Sequence, residues 1–293
     1  MRFQWDWLRR ALRVPYVPTL GPVHPDTLSP ELFDDVVAAS TTGQVLPFDK
    51  DRRWSPRKDQ TALVAEIIHQ PNCTIIPTLS RRDGGMVKTY YYGTTALDRP
   101  RLLAATRRWC AAYGARTGQL IWFDPATPAA TSTSCTRLLL KVFGGDQSPH
   151  HPPPGPVRVL DSCPPAVRAT FAEFAQHQHT SGFGFLHRRW RDGHVDGPIL
   201  VTVADNRIVG AIGPLRTMPD RRGHPALLPQ YFAVHTDHRG RGHGRALWRA
   251  ATAWAEHHRA AYQLLQTQTG QASERLFLSE GLISLGFACS MPV

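Results

Sequence analysis

The stretch Leu227–Arg245, LLPQYFAVHTDHRGRGHGR, leaves the chain the fewest options. Leu227, Leu228, Tyr231, Phe232, Ala233 and Val234 predict a strand. The run breaks at His235-Thr236-Asp237-His238, passes through Arg239-Gly240-Arg241-Gly242-His243-Gly244, and continues at once into a helical run from Arg245 to Ala255. Glycines lack the Cβ that would stop the backbone turning sharply or approaching a ligand closely. The first N–H groups of a helix have no intrahelical partner and sit at the positive end of its dipole. With Arg239, Arg241 and Arg245 around the same point, the segment is built to receive an anion, and a diphosphate suits it.

Two common phosphate loops are excluded. No Gly-Lys-Ser/Thr follows, and Gly-x-Gly-x-x-Gly cannot be fitted to Gly240, Gly242 and Gly244. Val234, His235, Arg239, Gly242 and Gly244 instead form a pattern that resembles motif A of the GNAT acyltransferase superfamily. The resemblance implies that Arg239, Gly240, Arg241, Gly242, His243, Gly244 and Arg245 hold the pyrophosphate of an acyl-coenzyme A. It also implies that the backbone of Phe232, Ala233 and Val234 holds the pantetheine arm. Read without its flanks, the same loop is an Arg/Gly-rich surface turn.

The flanks supply a separate argument. Val157–Leu160 predicts a short strand, Pro164–Gln176 a helix, and Gly182–Arg191 a second helical piece. Ile199–Ala204 and Arg207–Ile212 predict a hairpin through Asp205-Asn206. After the loop and its helix come a strand at Tyr262–Thr267, a helix at Ser273–Ser279, and Gly286-Phe287. The order β-α-α-β-β-β-loop-α-β-α-β is similar to the GNAT fold, over roughly Pro156 to Val293.

In the first half, Ser29-Pro30-Glu31 predicts a helix start, with Ser29 as N-cap and Pro30 at the first helical position. Ser55–His69 predicts a second helix. Cys73–Leu79 and Met86–Tyr92 predict a hairpin around Asp83-Gly84. Asp98–Ala112 predicts a helix, Gln119–Phe123 a buried strand, and Ser132–Phe143 another helix. Asp146–Pro156, with five prolines, reads as an extended spacer, His150 and His151 included. The expected organisation is an N-terminal α/β domain over 1–148, a linker over 149–156 and a catalytic domain over 157–293, α+β in class with a mixed sheet. Hairpin, helix, strand and helix recur in both halves, which suggests a tandem GNAT with a degenerate first copy. That copy has Gly93–Pro100 in place of the anion loop, without its glycines and with Asp98 where phosphate would sit. An unrelated α+β domain with common elements fits the same order.

Composition sets the outer limits. A 42% hydrophobic content over 293 residues supports a real core, and the formal net charge is +11. The first 150 residues carry 19 basic and 13 acidic side chains and the remainder 15 and 10, so no basic tail exists. The charge favours polyanionic ligands, coenzyme A and tRNA both included. Five cysteines without a C-x-x-C pair argue against a disulfide framework or zinc site, and point to a cytoplasmic setting. No apolar run of about 18 residues predicts a membrane span. The N-terminus carries Asp6, Arg9 and Arg10, which excludes a signal peptide, and Trp5, Trp7, Leu8 and Leu12 predict an amphipathic segment.

The catalytic residues depart from the family pattern. Members often place a Glu or His on the strand before motif A. Here Gln230 stands there, able to orient a water or an amine but not to act as a base. Members often place a tyrosine in the last helix, about four residues before the closing Gly-Phe. Counted from Gly286-Phe287, that position is Leu282, and Ser279 and Ser284 are the nearest hydroxyls. Gln230 and Ser279 are therefore the catalytic candidates. His235 reads as a turn cap, Glu173 and Glu280 as solvated carboxylates, and no histidine pair has metal-ligand spacing. The resemblance implies an N-acyltransferase that moves an acetyl group from acetyl-coenzyme A to a small-molecule amine. An aminoacyl transferase drawing on aminoacyl-tRNA and a non-catalytic acyl-coenzyme A-binding module are the alternatives.

Overall fold

In a computed structural model, residues 13–93, 97–126, 134–144 and 157–293 are described. The expected N-terminal amphipathic segment and proline spacer lie outside them, as do residues 94–96 of the stretch standing in for the anion loop in the first half. In chain order the elements used below are α1 (Pro30–Thr42), β1 (Gln60–Ala62), β2 (Cys73–Ser80), β3 (Met86–Gly93), α2 (Arg99–Tyr113), β4 (Thr117–Asp124) and β5 (Ser134–Val142). Then come β6 (Val157–Val159), α3 (Pro165–Ala169), α4 (Phe171–His177), α5 (Phe183–Arg191), β7 (Leu200–Ala204), β8 (Arg207–Gly213), β9 (Thr217–Pro219) and β10 (Pro225–Leu227). The last are β11 (Tyr231–Val234), α6 (His243–His257), β12 (Tyr262–Gln268), α7 (Ala272–Ser279) and β13 (Ile283–Pro292).

These elements fall into two compact units that do not follow chain order. The first holds residues up to Leu140 with Asp220–Arg222 and Leu264–Val293; the second holds Lys141–Pro219 and Gly223–Gln263. The class is mixed α/β. Among the described residues no helix is long and apolar enough to cross a membrane.

In the first unit the sheet runs β5-β13-β4-β3-β2-β1, with β3 and β4 parallel and the other neighbours antiparallel. Alternation along β3 divides the core. Val87 and Tyr91 face Leu102, Ala105 and Trp109 of α2, while Tyr90 and Tyr92 join Leu32, Phe33 and Val36 of α1. Ser29 caps α1 as expected, its Oγ accepting from Leu32 N at 3.3 Å.

Two expected helices are strands. Ser55–His69 divides into β1, a 3-10 turn at Val64–Glu66 and a strand at Ile68–Gln70, both strands pairing with β2. Ser132–Phe143 is β5, paired with β13 from Ser134↔Ser290 to Leu140↔Ile283. A short apolar run such as LLL fits helix and strand equally, and a partner strand decides. Cys135 and Cys289, opposite each other in that pairing, bring their free thiols to 3.0 Å.

Helix α7 is tied to β5 by a charged contact. Glu274 of α7 accepts from Arg137 Nε at 2.6 Å and from Gly270 N at 2.6 Å. Burial opposes the Glu274 carboxylate, but Arg137 and the Gly270 N–H outweigh it and hold its pKa below the ordinary value. A depressed folded pKa contributes stability that is complete above the unfolded pKa of about 4.3 and is lost as pH falls below it. Glu274→Gln should therefore lower Tm at pH 7, by the equivalent of about 1.5–3 kcal/mol for a charge-assisted hydrogen bond. The gap from the native chain should narrow as pH falls towards 3. A gap of constant size in thermal melts across that range would remove the charge from the explanation.

The second unit carries the sheet β11-β8-β7-β6, antiparallel throughout. The expected hairpin is present: Asp205 and Asn206 both have positive φ (48° and 57°), as a two-residue type I′ turn requires. One face is covered by Val167, Phe171, Phe174, Phe183 and Leu186. α6 covers the other face with Leu247, Trp248, Ala251 and Ala255. Gly210 permits that approach, since a Cβ there would stand 2.7 Å from Thr202 Oγ1 and 3.0 Å from Leu247 Cδ1.

Candidate active site

Among the described residues β11 forms the end of its sheet and pairs only with β8, from Gly210↔Val234 to Gly213↔Tyr231. Residues 262 and 263 of β12 pair instead with β10, in parallel. The strand before the loop and the strand after its helix thus belong to different sheets. Phe232, Ala233 and Val234 lie along an edge whose second side has no strand among the described residues, where backbone groups can meet an extended ligand.

The chain leaves β11 through a 3-10 turn at Thr236–His238, capped by His235, whose Nδ1 accepts from Asp237 N at 3.4 Å. His235 is the turn cap the sequence predicts. Gly240 (φ 76°) and Gly242 (φ 85°) both occupy the left-handed region, and nothing lies within 4 Å of a Cβ built on either. That backbone is strained for any residue with a side chain. Gly242 is the N-cap of α6 and supplies no side-chain cap, while Ala246 N already bonds to Gly242 O at 3.0 Å. The N–H groups of His243 and Gly244 therefore head a four-turn helix whose N-cap residue supplies no capping side chain. Arg239, Arg241 and Arg245 are exposed. Among the described residues neither Arg239 nor Arg241 has a carboxylate within ion-pair distance; Arg239 Nε reaches only Val234 O, at 3.4 Å. Burial, with His238 and Arg241 nearby, lowers the pKa of His243, so its imidazole is neutral at pH 7 and adds a donor or acceptor rather than a charge.

Gln230, just before β11, is held at both ends. Its Nε2 donates to Leu228 O at 2.5 Å and its Oε1 accepts from Gln263 Nε2 at 2.7 Å. Gln263 is 1% exposed, and its Oε1 has no hydrogen-bond partner among the described residues. A buried amide with one unmatched acceptor leaves a place for a donor beside Gln230. The sequence reading missed Gln263. Its signal was a glutamine at the start of an otherwise apolar strand, YQLL.

Ser279 belongs to the first unit, near the end of α7, with its Oγ donating to Leu276 O at 2.7 Å. The helix closes at Gly281 (φ 79°), not at Gly286. Leu282 thus lies beyond the helix, and the helical residue four before the closing glycine is Phe277, buried and without a hydroxyl. Gly286 sits inside β13 at a register shift, where a Cβ would come within 2.4 Å of Val14 Cγ2. Ser284 Oγ accepts from Arg137 Nη1 at 2.9 Å, and Glu173 pairs with Arg207. No group of three or more His, Cys, Asp or Glu able to hold a metal occurs among the described residues.

Residues 164–281 match the family model for the acetyltransferase (GNAT) family. The chain contains a GNAT domain. No curated protein matches the chain. Among solved structures it is similar to a GCN5-related N-acetyltransferase from Sphaerobacter thermophilus, at 14% identity and a TM-score of 0.46, over 76% of this chain and 80% of that one. It is also similar to a tandem GNAT protein from the clavulanic acid biosynthesis pathway, at 12% identity and a TM-score of 0.48, over 90% and 94%. A ribosomal-protein-alanine N-acetyltransferase from Brucella melitensis aligns at 19% identity and a TM-score of 0.32, over 47% of this chain and 98% of that one. The GNAT domain spans the edge strand, the two left-handed glycines and the uncapped helix, and its match ends at the glycine that closes α7.

Proposed function

We propose that the chain transfers an acyl group, acetyl in the leading reading, from an acyl-coenzyme A to the amine of a small molecule. The observation that carries this is the start of α6. Left-handed Gly240 and Gly242, uncapped N–H groups and unpaired Arg239 and Arg241 converge there, at the end of an edge strand. These residues fit a pyrophosphate by charge and by backbone shape. Coenzyme A supplies an activated thioester. The chain's part is to bind the diphosphate at residues 239–245 and the extended arm along 232–234, and to hold the acceptor amine beside Gln230. Gln230 has no useful pKa and its Oε1 is already taken by Gln263 Nε2, so a water that donates to the unmatched Gln263 Oε1, beside Gln230, is the group that accepts the amine proton. The first-half unit, whose described Leu97 and Asp98 lead straight into α2 with Asp98 as its N-cap, is proposed to be a copy without coenzyme A binding.

Acetyl-coenzyme A should raise Tm by mass action, by the equivalent of about 2.7 kcal/mol at a hundred times Kd. Thiol release over a panel of small amines then identifies the acceptor. A thermal shift without thiol release for any amine would favour the acyl-coenzyme A-binding module. Absence of a shift would sink the reading. Salt-dependent retention of aminoacyl-tRNA in place of acetyl-coenzyme A would favour the aminoacyl transferase.

A further inference from the structure

The first unit holds a second polar centre that acyl transfer does not use. Along β3, Met86, Lys88, Tyr90 and Tyr92 share one face by alternation. The tyrosines continue into the apolar core around α1, while Lys88 meets a cluster of charges from residues 49–58. Three of the chain's four lysines, Lys50, Lys58 and Lys88, gather here around Asp49 and Asp51. Lys58 takes both carboxylates, contacting Asp49 Oδ2 and, at 2.7 Å, Asp51 Oδ2. Lys50 donates to Leu20 O. Lys88 has neither a carboxylate within ion-pair distance nor a hydrogen-bond acceptor for its Nζ among the described residues.

Lys88 lines a 340 Å³ cavity together with Asp51, Trp54, Arg57, Gln60 and Met86. Of the other charged lining groups, Arg82 and Asp59 are matched to each other, and Asp83 is exposed at the rim. Gln60 is fixed by Nε2 contacts to Thr78 Oγ1 at 2.7 Å and Tyr90 OH at 3.1 Å. Burial, then the charge of Lys50, pushes the Lys88 ammonium below its ordinary pKa, against a smaller opposite effect of Asp51. Half-buried, and with Asp49 and Asp51 engaged by Lys58, the Lys88 ammonium lacks a counter-charge at ion-pair distance among the described residues. Trp54 and Met86 give the same cavity an apolar wall.

We propose that this cavity binds a small organic carboxylate, its charge on Lys88 and its apolar body against Trp54 and Met86. The site lies within the first unit and is independent of the coenzyme A loop.

The four lysines make the test direct. The full chain labelled with 13C at lysine Cε is titrated with sodium benzoate and, separately, with inorganic phosphate. Benzoate is expected to shift the Lys88 signal saturably and to raise its apparent pKa, because an adjacent anion favours the charged amine. The Lys141 signal should stay in place. Lys88→Met should weaken benzoate binding by about tenfold or more, and Lys88→Arg should hold it within about threefold. Saturation by phosphate but not benzoate would overturn the carboxylate assignment. Benzoate affinity unchanged in a folded Lys88→Met chain would overturn the site, as would the absence of any saturable Lys88 shift in the native chain.

Discussion

Gly242→Asp is expected to abolish the thermal shift given by acetyl-coenzyme A and to raise Kd by more than about 100-fold. Two effects combine. The backbone at 242 has φ 85°, and a side chain there costs about 1–3 kcal/mol, towards the low end for Asp, which tolerates the left-handed region. The larger effect is electrostatic. A carboxylate at the N-cap of α6 can accept from the very N–H groups that would otherwise meet phosphate, and it repels the diphosphate as well. Two unit charges 4 Å apart interact by about 4 kcal/mol at an effective dielectric constant of 20, well beyond two decades in affinity. Gly242→Asn has nearly the same shape and backbone tolerance without the charge, and should keep measurable binding. Equal losses in the two variants, measured by calorimetry, would assign the effect to shape. An undiminished shift in the Asp variant would place the cofactor away from this loop.

Gln230→Ala is expected to lower kcat by about 10–100-fold with little change in coenzyme A affinity, the lower range for a positioned proton-transfer group. The variant also strips Gln263 Nε2 of its acceptor, so a stability loss of about 1–3 kcal/mol should accompany it. The stability loss alone does not separate the two roles, and Gln263→Leu does. It removes the buried, half-matched amide and leaves Gln230 its bond to Leu228 O. If the two amides act together on a water, both variants lose kcat when assayed well below their Tm. If Gln230 only braces the strand, both lose Tm and keep kcat. Gln230→Glu supplies a true base, but its carboxylate would face Leu228 O. Its pKa should rise, and its rate should climb with pH through that raised value.

Local chemistry made the glycine-rich loop between β11 and α6 legible. Strand, turn, glycines and helix occupy consecutive residues, and each is selected by its own backbone demand: left-handed φ at Gly240 and Gly242, an uncapped helix start, a histidine-capped turn. The Asp205-Asn206 hairpin and the Ser29-Pro30 helix start were legible for the same reason, since a turn type or a cap is written in two or three adjacent residues.

What only the tertiary structure decided are contacts between distant residues. Ser134–Val142 is a strand because β13, some 150 residues away, pairs with it; its apolar run alone fits a helix equally. Gly286-Phe287 looks like a helix end in sequence, but Gly286 is a glycine because Val14 and the Asp124 carbonyl leave no room for a Cβ. Strand β13 lies between β4 and β5, so the end of the chain completes a sheet begun in its first half. Gln263 reaches Gln230 across 33 residues. Periodicity reports which face of an element is buried, not which element buries it. The amide pair and the place of the last strand therefore became visible only when the chain was folded.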